Sequence, residues 1–127
     1  LEALWISQEE GTTLAKISWV ARYLGISSPS TVEMLKKLEE SGYVTYTPRK
    51  GVRLSRKGRA AARRIIRNHR LVEVLMKKAL SVEIDEEAVC GMEHHMDEDF
   101  ANALCTSLGH PRRCPHGNPI PRGECCG

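Results

Sequence analysis

The densest collection of potential metal ligands is Glu86-Glu87-Ala88-Val89-Cys90-Gly91-Met92-Glu93-His94-His95-Met96. On a helix, Glu86, Cys90, Glu93 and His94 fall at i, i+4, i+7 and i+8, so two carboxylates, a thiol and an imidazole share one face. Upstream, His69 and Glu73 form a second pair at i and i+4. Placing such groups on a packed helix face without partners is unfavourable, and a divalent cation shared between the two helices would offset that cost. The bland alternatives are an acidic, solvated face with one buried thiol for the long stretch, and a hydrogen-bonded surface couple for the pair. Mixed nitrogen, oxygen and single-sulfur donors suit Fe2+, Mn2+, Co2+ or Ni2+, Zn2+ also binds such sets, and affinity alone does not select among them. His95 faces elsewhere. An HExxH motif is absent, since Glu93-His94-His95-Met96 has the wrong order and spacing. No glycine-rich phosphate loop or convincing nucleophile is visible, so metal sensing is a simpler account than catalysis.

The elements that must position these residues follow from the periodicity of the chain. Residues 1–9 form a short helix, and a second runs from Leu14 through Ile17, Val20, Ala21 and Leu24 to a stop at Gly25. Ser27 or Ser28 caps a third helix with Pro29 in its first turn, carried by Val32, Leu35 and Leu38 and closed by Gly42. Helix, tight turn and helix make a helix-turn-helix. Residues 43–47 and 52–54 are short β-prone runs mirrored across Pro48-Arg49-Lys50-Gly51, a hairpin in which Gly51 supplies the permissive turn geometry. Such a hairpin after the second helix of the motif is a wing. Ser55 then caps a long helix from Arg56 to about Leu80, and Asp85 caps the helix that carries the ligand stretch. Phe100, Ala103, Leu104 and Leu108 complete a last helix, after which the prolines of Cys114–Pro121 exclude regular structure. The expected fold is mainly α with a small β-hairpin wing. A winged helix-turn-helix DNA-binding domain takes residues 1–63, a helical metal-binding and dimerisation domain 64–121, and a tail or truncated linker 122–127.

Charge points to the partner. The net charge is only +3, yet Arg49 to Arg70 holds ten Lys or Arg residues and no acid, while residues 83–99 are rich in Glu and Asp. The alternatives are a polyanion partner beside a cation site, or two solvated faces of opposite sign. In a winged helix-turn-helix the first turn of the second helix meets base edges, here Ser27, Ser28, Pro29, Ser30 and Thr31, with Lys36 and Lys37 reaching the backbone. None of these reads a base bidentately, so hydroxyl contacts, water bridges and DNA shape carry the readout. Arg49, Lys50, Arg53, Arg56 and Lys57 are the candidate phosphate contacts. One module buries little surface, so a homodimer on double-stranded DNA with two half-sites is the natural mode. A hydrophobic fraction of 41% fits a folded chain, no apolar run approaches a membrane span, and no secretory leader is visible. Five cysteines in an irregular arrangement then imply a reducing, cytoplasmic setting. Cys105, His110, Cys114, His116, Cys125 and Cys126 are an alternative metal or redox group.

These residues together resemble the diphtheria toxin repressor family of iron- and manganese-dependent transcriptional regulators. The resemblance rests on Leu1-Glu2-Ala3-Leu4, Ser28-Pro29-Ser30-Thr31-Val32, Leu54-Ser55-Arg56-Lys57-Gly58, Asn68-His69-Arg70-Leu71-Val72-Glu73, Cys90-Gly91-Met92-Glu93-His94 and Gly117-Asn118-Pro119-Ile120-Pro121. It implies a homodimer in which metal orders the first helix and repositions the reading heads on palindromic operators. It further implies that Cys90, Glu93 and His94 belong to a primary, corepressor site, and that His69, Glu73 and Glu86 belong to an ancillary one. Glu86 stands where the toxin repressor has histidine, and Cys90 matches the iron-type branch, where the manganese branch commonly has glutamate. The family also implies a further ligand just before Leu1, and in many members an SH3-like third domain. The competing reading is a constitutive winged-helix protein with a structural metal or none.

Overall fold

The computed structural model describes residues 1–126. The chain forms two compact units, Leu1–Ala62 and a second beginning at Arg63. The first contains α1 (Glu2–Glu9), α2 (Ile17–Leu24), α3 (Ser28–Glu40), β1 (Val44–Thr47), β2 (Gly51–Leu54) and the opening turns of α4 (Arg56–Val74). The second contains the remainder of α4, a π-helical turn (Leu75–Ala79), α5 (Glu86–Glu93), α6 (Glu98–Ser107) and a 3-10 turn (Glu124–Cys126). No helix among the described residues is long and apolar enough to cross a membrane.

Local chemistry accounts for the boundaries. Gly25, at φ 69°, ends α2 in the left-handed region that suits a residue without a Cβ. Ser27 is the cap of α3, its Oγ accepting from the Ser30 amide at 3.2 Å. α2 starts later than the sequence pattern suggests. Leu14 lies outside it, because Ala15 is drawn into an antiparallel bridge with Val52 through two 2.8 Å backbone hydrogen bonds. The hairpin thereby gains a third strand one residue long, and β1 pairs with β2 in the register Val44↔Leu54 through Thr47↔Gly51. At the tip Gly51 supplies the permissive dihedral, at φ 137°, and Arg49 also adopts a positive φ of 69°. Gly51 is required by proximity as well, since a Cβ there would sit 2.5 Å from the Ala15 carbonyl oxygen.

Leu4, Ala15, Val20, Leu35, Val44, Val52, Leu54 and Ala62 form the core of the first unit. This core supports α3 from beneath and leaves its N-terminal turn outside. In the second unit Leu71, Val74, Ala101, Cys105, Cys114 and Ile120 cluster, so α4, α6 and the proline-rich tail share one core. Asn68 fixes the end of α5 by donating from Nδ2 to the carbonyls of Glu93 (3.1 Å) and Met96 (3.2 Å). That satisfies acceptors a helix C-terminus leaves unpaired. Asp85 caps the other end, accepting from the Glu87 and Ala88 amides.

Candidate metal centre and nucleic-acid surface

α5 and the second half of α4 bring two ligand triads together inside the second unit. Cys90, Glu93 and His94 place one donor atom each within 4.8 Å of one another, and so do His69, Glu73 and Glu86. Helical spacing does the positioning: His69 and Glu73 are one turn apart on α4, with Nε2 3.6 Å from Glu73 Oε1. Across the helix pair, His69 Nε2 lies 3.3 Å from Glu86 Oε2. Glu86, in the first turn of α5, therefore faces His69, whereas Cys90 and Glu93 serve the other triad. His94 sits just past the last turn as the C-terminal cap, with Nε2 3.5 Å from Glu93 Oε1.

One contact joins the two triads. His69 Nδ1 lies 2.8 Å from Glu93 Oε2, where an ionised carboxylate accepts a hydrogen bond from an Nδ1–H. With its proton on Nδ1, the imidazole presents the Nε2 lone pair toward Glu73 and Glu86, which is the tautomer a ligating histidine needs. Glu93 is only 2% exposed, and its other oxygen faces His94. A single buried carboxylate thus orients a ligand of one triad while being a candidate ligand of the other. Glu73 is also buried. Burial pushes its carboxyl above the usual carboxylate range and the neighbouring Glu86 pushes the same way, opposed by His69 and His116. A dication between these groups would favour the ionised form that burial resists.

The tail supplies candidate ligands that helical periodicity could not reveal. His116 Nδ1 lies 2.8 Å from Glu73 Oε2, and Cys114 joins them in a third ligand group. Cys105, His110, Cys125 and Cys126 form a fourth, separate group. The six tail residues considered together from sequence are therefore two sets of two and four. Burial raises the Cys105 thiol to about 11. The Gly123 amide, against a smaller opposing effect of burial and with help from His110, Cys105 and Cys125, lowers Cys126 to about 6.

On the first unit, Ser27, Ser28, Pro29 and Ser30 are all exposed at the start of α3, as are Lys36 and Lys37 farther along. Thr31, expected beside them, is fully buried, and its Oγ1 donates to the Ser27 carbonyl at 2.9 Å. Its hydroxyl holds the helix start and is not available to a base. Arg49, Lys50, Arg53, Arg56 and Lys57 are exposed. Lys57 Nζ donates to the Ser41 carbonyl at 2.9 Å and lies 4.5 Å from the Tyr43 ring centre, so it is anchored under the wing. The basic run does not stay on the surface to its end. Arg67 and Arg70 are buried, and with Arg63 they hold the tail: Arg63 donates to the Arg122 carbonyl (2.6 Å), Arg67 to Cys125 Sγ (3.2 Å) and Arg70 to the Pro119 carbonyl (2.5 Å).

The chain can now be set beside known proteins. Residues 1–52 match the iron dependent repressor N-terminal DNA binding domain, and residues 55–122 match the iron dependent repressor metal binding and dimerisation domain. The iron-dependent repressor IdeR of Mycobacterium tuberculosis is 33% identical over 124 residues, which are 95% of this chain and 53% of IdeR. A manganese-dependent transcriptional repressor solved in complex with manganese superposes with a TM-score of 0.84 at 29% identity, covering 97% of this chain and 57% of that one. ScaR with bound Zn2+ gives a TM-score of 0.75 at 29% identity, covering 95% of this chain and 58% of ScaR. The chain spans about half the length of the curated relatives it matches. Regulation of transcription, not enzymatic turnover, is the business of these proteins. A winged helix-turn-helix followed by a helical unit with candidate metal clusters, matched by both models along almost its whole length, shows that the chain belongs to the iron dependent repressor family, that of the diphtheria toxin repressor.

Proposed function

We propose that the protein is a metal-dependent transcriptional repressor that binds palindromic double-stranded operator DNA as a homodimer when Fe2+ or Mn2+ is bound. The observation that carries this reading is the His69–Glu93 hydrogen bond of 2.8 Å, which makes the two ligand triads one connected unit. Cys90, Glu93 and His94 form the primary, corepressor site. His69, Glu73 and Glu86 form the ancillary site, with His116 as a further ligand through its contact with Glu73. The donor set of the primary site, one sulfur beside oxygen and nitrogen, favours iron over a purely oxygen-seeking cation.

DNA is engaged by Ser27, Ser28, Pro29 and Ser30 at the base edges. Lys36, Lys37, Arg49, Lys50, Arg53, Arg56 and Lys57 meet phosphates, and Thr31 supports the reading helix from within. For the dimer, an apolar groove of about 270 Å3 bounded by Gly91, Met92, His95, Met96 and Phe100 is a candidate contact surface on the second unit. Phe100, 53% exposed there, adds apolar area that a partner would cover. The metal acts by binding the DNA-competent arrangement of the two reading heads more tightly than the others, and linkage then makes DNA tighten metal by the same factor.

The test is an operator mobility shift with and without divalent metal, accompanied by metal stoichiometry. Metal-dependent shifting in the wild type, lost in the exposed-site variant Cys90→Ala with its melting temperature unchanged, is the expected outcome. Equal DNA affinity after chelation would leave a constitutive winged-helix protein instead.

A further inference from the structure

A separate cluster of side chains able to ligate a metal lies in the C-terminal part of the chain and shares no residue with either triad. Cys105 near the end of α6, His110 in the loop after it, and Cys125 and Cys126 in the 3-10 turn converge from three separate stretches. Four of the six pairwise distances are Cys105 Sγ···Cys126 Sγ 3.6 Å, Cys125 Sγ···Cys126 Sγ 3.8 Å, Cys105 Sγ···His110 Nδ1 3.5 Å and Cys126 Sγ···His110 Nδ1 3.6 Å, and all four donor atoms lie within 4.8 Å of one another. A sulfur–sulfur separation near 3.7 Å is far beyond a disulfide bond of about 2.05 Å. It is the separation a tetrahedron around a cation imposes. With Zn–S of about 2.3 Å and Zn–N of about 2.0–2.1 Å, ideal tetrahedral edges are about 3.8 Å between sulfurs and about 3.6 Å between sulfur and nitrogen. Three thiols and one imidazole are also a donor set that selects a thiophilic tetrahedral cation over a hard one.

We propose that Cys105, His110, Cys125 and Cys126 bind one Zn2+ as a closed, structural Cys3His site that clamps the tail onto α6. Three thiols lose their protons on binding, so three thiolates and a neutral imidazole around a dication leave one net negative charge. Arg67 answers that charge: it is buried at 6% exposure and donates from Nη2 to Cys125 Sγ at 3.2 Å. A buried guanidinium beside a sulfur ligand is the outer-shell partner a negatively charged zinc–thiolate centre requires. Gly123 fits the same arrangement, because a Cβ there would lie 2.4 Å from the Arg67 guanidinium carbon. The clamp also bears on Cys114 and His116, since the tail segment carrying them is held between His110 and Cys125. Four protein ligands leave no open position, so the ion is structural and not exchangeable on the timescale of metal sensing.

The experiment uses the purified protein in a Cys90→Ser background, which removes the thiol of the primary triad. Elemental analysis is expected to find one zinc retained through dialysis. Replacement by Co2+ is expected to give the intense visible bands of a tetrahedral ion with strong thiolate-to-metal charge transfer. Cys126→Ser should lose the zinc and most of the charge-transfer intensity. His110→Cys should keep the zinc and shift the bands, which separates ligand loss from misfolding. A weak octahedral Co2+ spectrum in the parent protein would overturn the proposal, as would an anaerobic intact mass lighter by a pair of hydrogens, the mark of a disulfide within the cluster. Neither outcome depends on whether the helix-borne triads answer to iron or manganese.

Discussion

The ligand groups on α4 and α5 and the group at the tail are built in opposite ways. The first are helix-borne: His69 and Glu73 stand one turn apart, and the α5 donors fall on its successive turns, so the backbone alone aligns them. Several of their donors, Glu86, Cys90 and His94 among them, stay exposed. The tail group is assembled from three stretches, and Cys105 is almost completely buried. Mainly oxygen and nitrogen donors, with the single sulfur of Cys90, on a pre-formed face with an open edge suit an ion that comes and goes. Sulfur drawn together by chain closure suits an ion that stays. On the readings proposed above, one small unit would hold two metal chemistries, differing in access and rate as much as in donor type.

The comparison can be broken most severely at Glu93. Its removal takes a candidate ligand from one triad and the orienting acceptor from a ligand of the other, so Glu93→Ala should reduce metal-dependent operator binding by about 100-fold or more. The measurement is a DNA titration at saturating Mn2+, and wild-type-like affinity would dissolve the link between the triads. The next effect belongs to the tail. His110→Ala is expected to lower thermal stability by a few kcal/mol, on the order of ~2–5, as loss of a structural cross-link does. It should leave DNA binding still responsive to metal. Calorimetry and mobility shift on the same preparation check both halves, and simultaneous loss of the metal response would merge the two chemistries into one. Smaller again is His116→Ala, where the metal concentration giving half-maximal DNA binding should rise by about 10-fold. No shift would confine His116 to a hydrogen-bonding role beside Glu73. Smallest is Arg53→Ala on the wing, which should flatten the salt dependence of operator binding by about 0.9 in the logarithmic slope. The metal midpoint should not move.

How much of this was readable beforehand depends on the range over which a pattern acts. The triads were accessible because helical spacing turns sequence distance directly into spatial distance: Glu86, Cys90, Glu93 and His94 share a helix face, and their donor atoms group as Glu86 with His69 and Glu73, and Cys90 with Glu93 and His94. The wing was equally plain from its β-prone runs. What escaped depended on contacts between distant residues. A one-residue bridge at Ala15 has no period, so Leu14 looked helical. Thr31 looked like its exposed neighbours because nothing local reports that its side chain turns inward. Arg67 and Arg70 counted toward a basic surface until the tail, some 50 residues later, took them as anchors. The separation of Cys114 and His116 from the other tail ligands has the same origin. Residue 73 and residue 116 share no sequence signal at all.

The bridge between Ala15 and Val52 has a mechanical consequence for the hairpin. A two-stranded ribbon standing alone frays and slides easily. Here the inner strand is stitched on both edges, to β1 on one side and by the paired 2.8 Å hydrogen bonds to Ala15 on the other. The tip bearing Arg49 and Lys50 is thus the end of a braced arm. Deuterium should enter the Ala15 and Val52 amides only when the surrounding core opens, while the Lys50 amide at the tip exchanges far sooner. Stiffness of that kind keeps the positive charges at a fixed reach, so that on the proposed DNA-binding reading the arm would be matched to a set phosphate spacing along a duplex.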